Sequence, residues 1–192
     1  MVPSLRDAHH GSAEARQLTS GEFETGFGSW SSDSKRIAFY DNQASPMERF
    51  VRVVDVETGQ IEPVVTQKGV NYLPRFSPDG STVAFLRKDD KKRGQVWLIS
   101  TGGGEARRLC EFHGGVDDIV WSPDSISLVV VSDVDPDAKP DVDKADHVPN
   151  VKVARGIRYR EDGGGWRGGT FRQLFVVDGA TGESRQLTSV EG

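Results

Sequence analysis

An all-β fold assembled from repeated four-stranded antiparallel units is predicted by three observations. A phrase recurs three times, an aromatic followed by Ser and a Pro/Asp/Gly-type turn: Trp30-Ser31-Ser32-Asp33-Ser34, Phe76-Ser77-Pro78-Asp79-Gly80 and Trp121-Ser122-Pro123-Asp124-Ser125, spaced by 46 and 45 residues. Two strand-like runs follow each phrase in the same order: 37–40 and 51–55, 83–86 and 96–100, 128–131 and 174–178. An apolar residue sits 12 positions before each aromatic, at Leu18, Val64 and Leu109. The context of the first, Arg16-Gln17-Leu18-Thr19, returns unchanged as Arg185-Gln186-Leu187-Thr188. A period in this range marks stacked supersecondary units that bury their faces only against one another.

The elements of one unit follow in order. The first strand carries the aromatic, which fills the space between neighbouring units. Ser-Pro-Asp-Gly then turns the chain: Pro presets φ, Asp bonds the local backbone and Gly tolerates a positive φ. The second strand alternates apolar residues, as in Val83-Ala84-Phe85-Leu86. A longer loop leads to the third, such as Val96-Trp97-Leu98-Ile99-Ser100, which ends in a tight turn (Glu57-Thr58-Gly59, Gly102-Gly103-Gly104, Ala180-Thr181-Gly182). The fourth carries the apolar residue of the Gln-Leu-Thr type. Four short antiparallel strands in about 40–45 residues make the blade of a β-propeller. Residues 1–192 therefore read as a partial β-propeller with blades at about 22–65, 70–110 and 115–188, preceded by one strand of an earlier blade at 15–19. Propellers close with about four to eight blades. The expectation is a piece of a longer chain, or a chain that self-associates through its open blade ends.

One segment competes with this reading. Ser45-Pro46-Met47-Glu48 resembles a capping box, and Met47, Phe50, Val51 and Val54 follow a helical period. Alignment with the other units assigns 50–55 to a strand and leaves one helical turn at 46–49.

Composition bounds the function. With 35% hydrophobic residues and 22 glycines the chain is globular, and its longest purely apolar run, Leu128–Val131, is too short to span a membrane. A net charge of −5 with both signs interspersed argues against nucleic-acid binding. The basic stretch from Lys88 to Arg93 includes Asp89 and Asp90 and reads as a solvated hairpin tip. Cys110 is the single cysteine and reads as a half-buried residue of a last strand.

The third unit breaks the period. Phe85 precedes Trp97 by 12 residues, whereas the equivalent Val130 precedes Phe175 by 45, so an insertion occupies about 133–171. Long loops of this kind are usually functional or disordered. The alternation of Val151 to Arg160 and the Gly-rich tip at 162–169 suggest a hairpin, Ile157–Arg160 leading up and Phe171–Val177 returning. Its Arg158, Arg160 and Trp166 are the candidate contacts to a substrate or a partner protein. Catalytic, cofactor and metal motifs fail one by one. Asp133-Val134-Asp135-Pro136-Asp137 opens like a calcium loop but has Ala138 and Lys144 where Gly and Glu belong. Gly163-Gly164-Gly165-Trp166-Arg167-Gly168 fits a dinucleotide fingerprint, yet a strand follows where a helix is required. There is no G-x-S-x-G elbow, and His9, His10, His113 and His147 have no zinc-site spacing. No catalytic residue, cofactor or metal is assigned.

The phrase from Phe76 to Phe85, with Gln95-Val96-Trp97-Leu98-Ile99 and Arg107-Arg108-Leu109, resembles the WD-like propeller repeats of TolB-type proteins and of prolyl-oligopeptidase-family serine peptidases. The insertion, with Arg155-Gly156-Ile157-Arg158-Tyr159-Arg160-Glu161-Asp162 and Gln173-Leu174-Phe175-Val176-Val177-Asp178, is similar to the third-blade region of acylaminoacyl-peptidase and dipeptidyl-peptidase relatives in that family. That resemblance covers about 25–190 and is weakest before residue 50, where Ser32 and Ser34 replace the turn Pro and Gly. It implies a cytoplasmic propeller that, with further blades, caps an α/β-hydrolase domain holding a Ser-Asp-His triad and limits entry to short peptides. None of the triad falls within these residues. The alternative it implies is a periplasmic TolB-like propeller that binds a partner protein.

Overall fold

The computed structural model describes residues 15–134, 160–161, 165–166 and 171–189. Three four-stranded antiparallel sheets follow one another, with no helix among the described residues. The first holds β1 (Thr25–Trp30), β2 (Arg36–Asp41), β3 (Phe50–Asp55) and β4 (Ile61–Val65). The second holds β5 (Asn71–Phe76), β6 (Thr82–Lys88), β7 (Gly94–Ser100) and β8 (Arg107–Arg108). The third holds β9 (Asp118–Trp121), β10 (Ser127–Val134), β13 (Phe171–Asp178) and β14 (Ser184–Gln186). Between β10 and β13 lies a two-stranded hairpin of β11 (Arg160–Glu161) and β12 (Gly165–Trp166).

The recurring turn works through its Ser and Asp. The Ser77 hydroxyl donates to Asp79 Oδ1 at 2.5 Å and accepts the Thr82 amide at 3.0 Å. Ser31 and Ser122 do the same with Asp33 and Asp124 and with the Arg36 and Ser127 amides. The fifth turn position is left-handed in all three, at φ 59° for Ser34, 74° for Gly80 and 64° for Ser125. Two of the three turns therefore carry a side chain where glycine is unstrained, and the Ser–Asp hydrogen bonds hold it there.

Successive residues of each strand face opposite neighbours, so each sheet has one face toward the sheet before it and one toward the sheet after. Ala38, Val51, Val53 and Val65 of the first sheet meet Phe76, Val83, Phe85 and Ile99 of the second in one core cluster. Ala84, Leu86, Val96, Leu98 and Leu109 of the second meet Ile119, Leu128, Val130 and Val177 of the third in another. Two of the three aromatics of the repeated phrase sit between sheets: Phe76 is buried against the first sheet and Trp121 packs on the second cluster, whereas Trp30 is 49% exposed on the outer face of the first sheet. The innermost strands run side by side. A Cβ on Gly28 would lie 2.4 Å from the Pro74 carbonyl oxygen, so β1 and β5 can approach this closely only with glycine there.

Three details differ from the sequence reading. Segment 46–49 is a single turn closed by the Glu48 amide on the Ser45 carbonyl, not a helical turn, and 50–55 is β3. The residue of β4 in the place of Leu109 is the fully buried Val65 rather than Val64, which packs on the same core but is only partly buried. A bulge opposite Val51 and Arg52 adds one residue, and Val65 pairs with Val51, just as Leu109 and Leu187 donate to the Val96 and Leu174 carbonyls. Residues 15–19 form no strand ladder but lie against the outer face of the first sheet, where Leu18 enters a hollow with Phe27, Ile37, Phe39 and Val54.

Candidate functional site: the rim that carries the insertion

In each sheet the turns after the first and third strands lie at one rim, and the loop between the second and third strands lies at the other. The insertion springs from this second rim. β10 and β13 pair over eight residues, from Ser127–Asp178 to Val134–Phe171, against seven for β6 and β7 and six for β2 and β3. The longer ladder carries the insertion outward. Within it, Arg160 pairs with Trp166 and Glu161 with Gly165. The structure thus places two of the three candidate residues opposite one another in one short hairpin. Arg158 lies outside the described residues. Of the expected hairpin of Ile157–Arg160 with Phe171–Val177, Ile157–Tyr159 lie outside the described residues; Arg160 pairs with Trp166, and β13 pairs with β10 along its length and with β14 over Phe175–Val177.

The root of the insertion is fastened to the loop before β9. The buried Ser132 hydroxyl donates to the Gly115 carbonyl at 2.6 Å, and the Asp117 amide donates to Val131 at 2.9 Å. Arg172 Nε lies 3.2 Å from Asp117 Oδ2. A Cβ on Gly114 would fall 2.0 Å from the Asp133 oxygen, so glycine is required for this backbone contact. From the other side the second sheet grips the same loop. Gln95, 2% exposed, donates to the Phe112 carbonyl at 3.0 Å and accepts its amide at 2.9 Å. The Arg93 guanidinium donates to the His113 carbonyl and lies 3.0 Å from Asp89. Phe112 meets Phe175 edge to face at 5.0 Å. The hairpin tip read as merely solvated thus has Arg93 in a structural role.

A second linkage lies at the inner edge, where β5 runs between β1 and β9. Arg75 donates to the Gly28 carbonyl at 2.5 Å and places Nη2 3.5 Å from Asp118 Oδ1. One side chain thereby ties three sheets at the edge nearest the propeller axis. Sequence reasoning missed Arg75, Asp118, Asp117 and Arg172, because the first pair joins two repeats, the second spans the insertion within one, and all four lie outside the shared phrase. One signal was available: Arg75 directly precedes the phrase aromatic, where the other repeats have Ser29 and Val120.

The chemistry of these groups is positional. Burial pushes the Cys110 thiol up to about 11, so at neutral pH it is protonated and poorly nucleophilic. Among the described residues, no group of three His, Cys, Asp or Glu side chains could hold a metal ion, and no helix is long and apolar enough to cross a membrane. At the opposite rim, a groove of about 560 Å³ opens between the second and third sheets, lined by Thr82, Leu98, Arg107, Trp121 and Ile126. Its chemistry is likewise that of a contact surface.

The comparisons agree with this architecture. Residues 11–146 match the TolB beta propeller domain. A curated relative, the "uncharacterized peptidase YuxL" of Bacillus subtilis, is 34% identical over 164 residues, covering 82% of this chain and 25% of its own length. The acylaminoacyl peptidase of Pyrococcus horikoshii superposes with a TM-score of 0.60 at 21% identity, over 80% of this chain and 24% of that one. TolB of Acinetobacter baumannii superposes with 0.59 at 18% identity, over 90% of this chain and 34% of that one. The two superpositions show the fold alone, and the chain spans about a quarter of the peptidase relative. With a family match over most of its length and three sheets stacked face to face, this chain belongs to the TolB beta propeller domain family and has a peptidase among its relatives.

Proposed function

We propose that these residues are the non-catalytic propeller portion of a serine peptidase of the acylaminoacyl-peptidase type, gating peptide access to a hydrolase domain that lies outside them. The observation that carries this reading is the 34% identity to a peptidase of which the chain covers only a quarter. The fastened insertion root supports it, because a gate must be held at a fixed place on the ring to discriminate by size. In this reading the hydrolase domain and further blades are the partners, the protein is cytoplasmic, and Arg158, Arg160 and Trp166 contact the incoming peptide.

The test has two arms. The 192-residue chain should hydrolyse neither acyl-aminoacyl nor dipeptidyl nitroanilides. In the full-length protein, replacing Arg158, Arg160 and Trp166 by Ala should change kcat/KM for long peptides more than for dipeptides. Unchanged turnover on every substrate, together with loss of binding to a partner protein, would instead make the hairpin a docking element of a TolB-like binding module.

A further inference from the structure

At the rim that carries the insertion, one position of the second strand recurs in all three sheets. It lies four residues beyond the partner of the phrase aromatic and holds Asp41, Arg87 and Ser132. Two of the three are matched within the fold. Asp41, 1% exposed, takes Arg52 Nε at 2.6 Å, and the Ser132 hydroxyl donates to the Gly115 carbonyl. Arg87 is not matched in charge. Its Nε donates to Asn71 Oδ1 at 2.7 Å and its Nη2 to Gln67 Oε1 at 3.3 Å, both neutral amides. Among the described residues no carboxylate lies within ion-pair distance of it, and no acceptor meets Nη1. Arg52, Arg93 and Arg172 each have a carboxylate, Arg93 with Asp89 at 3.0 Å and Arg172 with Asp117 at 3.2 Å.

Arg87 is held in place rather than free to swing. Its Cζ stands 4.3 Å from the Trp97 ring centroid and 5.5 Å from that of Phe85. The fully buried Asn71 that receives Nε also donates to the Arg49 carbonyl at 2.6 Å. Burial alone pushes the Arg87 guanidinium below its ordinary value, the direction of a cation that has lost water without gaining an anion. A second cation stands against the same loop, 67–69. The Arg49 amide donates to the Gly69 carbonyl at 2.9 Å, and the Arg87 stem passes Gly69, where a Cβ would lie 3.8 Å from its Cγ and Cδ. Arg49 Cζ lies 5.7 Å from the Tyr40 ring centroid, and Tyr40 and Trp97 pack on one core cluster between the first and second sheets. Among the described residues Arg49 has no carboxylate partner either. Two guanidiniums without a counter-charge thus stand over aromatic rings at one internal junction, in a chain whose net charge is −5.

We propose that Arg87 and Arg49 form a recognition site for a carboxylate carried by a peptide. The open Nη edge of Arg87 matches the two oxygens of a carboxylate, and the ring beneath it and the buried Asn71 hold that edge ready, which lowers the ordering cost of binding. A chain of net negative charge does not concentrate small free anions, so the carboxylate needs the further contacts that a peptide makes across the rim. The site does not rest on the peptidase reading and is tested without any activity. N-acetyl-trialanine, its C-terminal amide and N-acetyl-Ala-Asp-Ala amide are titrated into the 192-residue chain and followed by the Trp97 indole NMR signal. The first and third probes separate a terminal from a side-chain carboxylate. One of the two acids should bind at least about 10-fold more tightly than the neutral amide. Arg87→Gln should remove that preference, and Arg49→Gln should reduce it by a smaller factor. Where Arg87→Gln alters the far-UV spectrum, Arg49→Gln decides, because its side chain touches only the Tyr40 ring among the described residues. Equal binding of acids and amide, or a preference that survives both substitutions, would overturn the inference. Acetate that displaces the peptide at equal concentration would overturn the peptide as the ligand.

Discussion

The two internal junctions are built on one plan and filled with different chemistry. Between the first and second sheets, the Arg36 guanidinium lies 5.4 Å from the Phe76 ring centroid, and Arg36, Asp55 and Glu62 line a hollow of about 180 Å³. Between the second and third, ladder pairing puts Thr82 in the place of Arg36, Ser100 in that of Asp55 and Arg107 in that of Glu62. Beside the shorter Thr82, a groove of about 560 Å³ lined by both sheets reaches Trp121, whereas the hollow at Arg36 is lined by the first sheet alone. The cation has moved to the outermost strand, where Arg107 reaches across to Gly179. Even the aromatic anchors differently. The Phe76 amide donates to Ser29 Oγ at 2.8 Å, whereas Trp121 uses its indole N–H on the Arg75 carbonyl at 3.1 Å. Each junction is an apolar seam with one cation at the rim of its turns, beyond the shared Arg75, and the strand that supplies it differs between the two.

The seam should dominate stability. Phe85 and Val130 are equivalent and both fully buried. Phe85→Ala should cost about 3–5 kcal/mol and Val130→Ala about 2–3, from lost transfer energy and the cavity left behind. Urea unfolding measures both, and near-equal losses would mean that the surroundings of Phe85 collapse on truncation more completely than those of Val130. The Arg107 contact should come next. Arg107→Ala removes a single hydrogen bond on an exposed side chain and should cost about 1 kcal/mol, with no effect on the first junction. Transplanting the first junction onto the second should come out near neutral. Thr82→Arg with Arg107→Glu should gain about 0.5–1 kcal/mol through a guanidinium over Trp121 and lose about as much with the Arg107 hydrogen bond to Gly179. Thr82→Arg alone keeps that hydrogen bond but sets the new charge against Arg107, so its net gain should stay below about 0.5 kcal/mol. A full gain of about 1 kcal/mol from the single change would show that the two cations do not compete for one place.

Legibility in the sequence followed the same division. The phrase aromatics, the turn residues and the alternating strands were readable because the repeat imposes them three times, and any one copy vouches for the others. The apolar residue of β4 was misplaced by one because a bulge is a property of pairing, and Val64-Val65 offers two chemically equal choices. The helical signature of Met47 to Val54 lost to the ladder that β2 and β4 offer on either side of β3. At the candidate site, Arg160 and Trp166 were singled out because the insertion breaks the period. Their mutual pairing was not, since alternation fixes which residues can be a strand but not its partner. The Arg75–Asp118 and Arg172–Asp117 contacts were illegible for a simpler reason: each spans residues that no motif connects.

The smallest effect separates two turns rather than two junctions. Hydrogen bonding holds the carboxyl of Asp79 below its ordinary range, led by the Ser77 hydroxyl and then the amide and hydroxyl of Ser81. Asp124 is lowered too, by the Ser122 hydroxyl and then the Ile126 amide, without a second hydroxyl. A carboxyl depressed in the folded state stabilises it above the unfolded pKa, and that contribution is lost as pH falls through the folded value. Both turns should therefore contribute fully at neutral pH and weaken below about pH 4. Both side chains are exposed, so the difference is one of order rather than size. Asp79→Asn should lower the urea midpoint at neutral pH more than Asp124→Asn, and each gap from the parent should shrink on acidification as the parent's own carboxyl protonates. Carboxyl titration by NMR gives the direct check, with Asp79 expected to protonate at lower pH than Asp124. The reverse order would mean that the Ser81 hydroxyl, 2.9 Å from both Asp79 oxygens, bonds elsewhere in solution. The left-handed Ser125, which also receives the Asp79 amide at 3.0 Å, would then be the residue that couples the two turns across the junction.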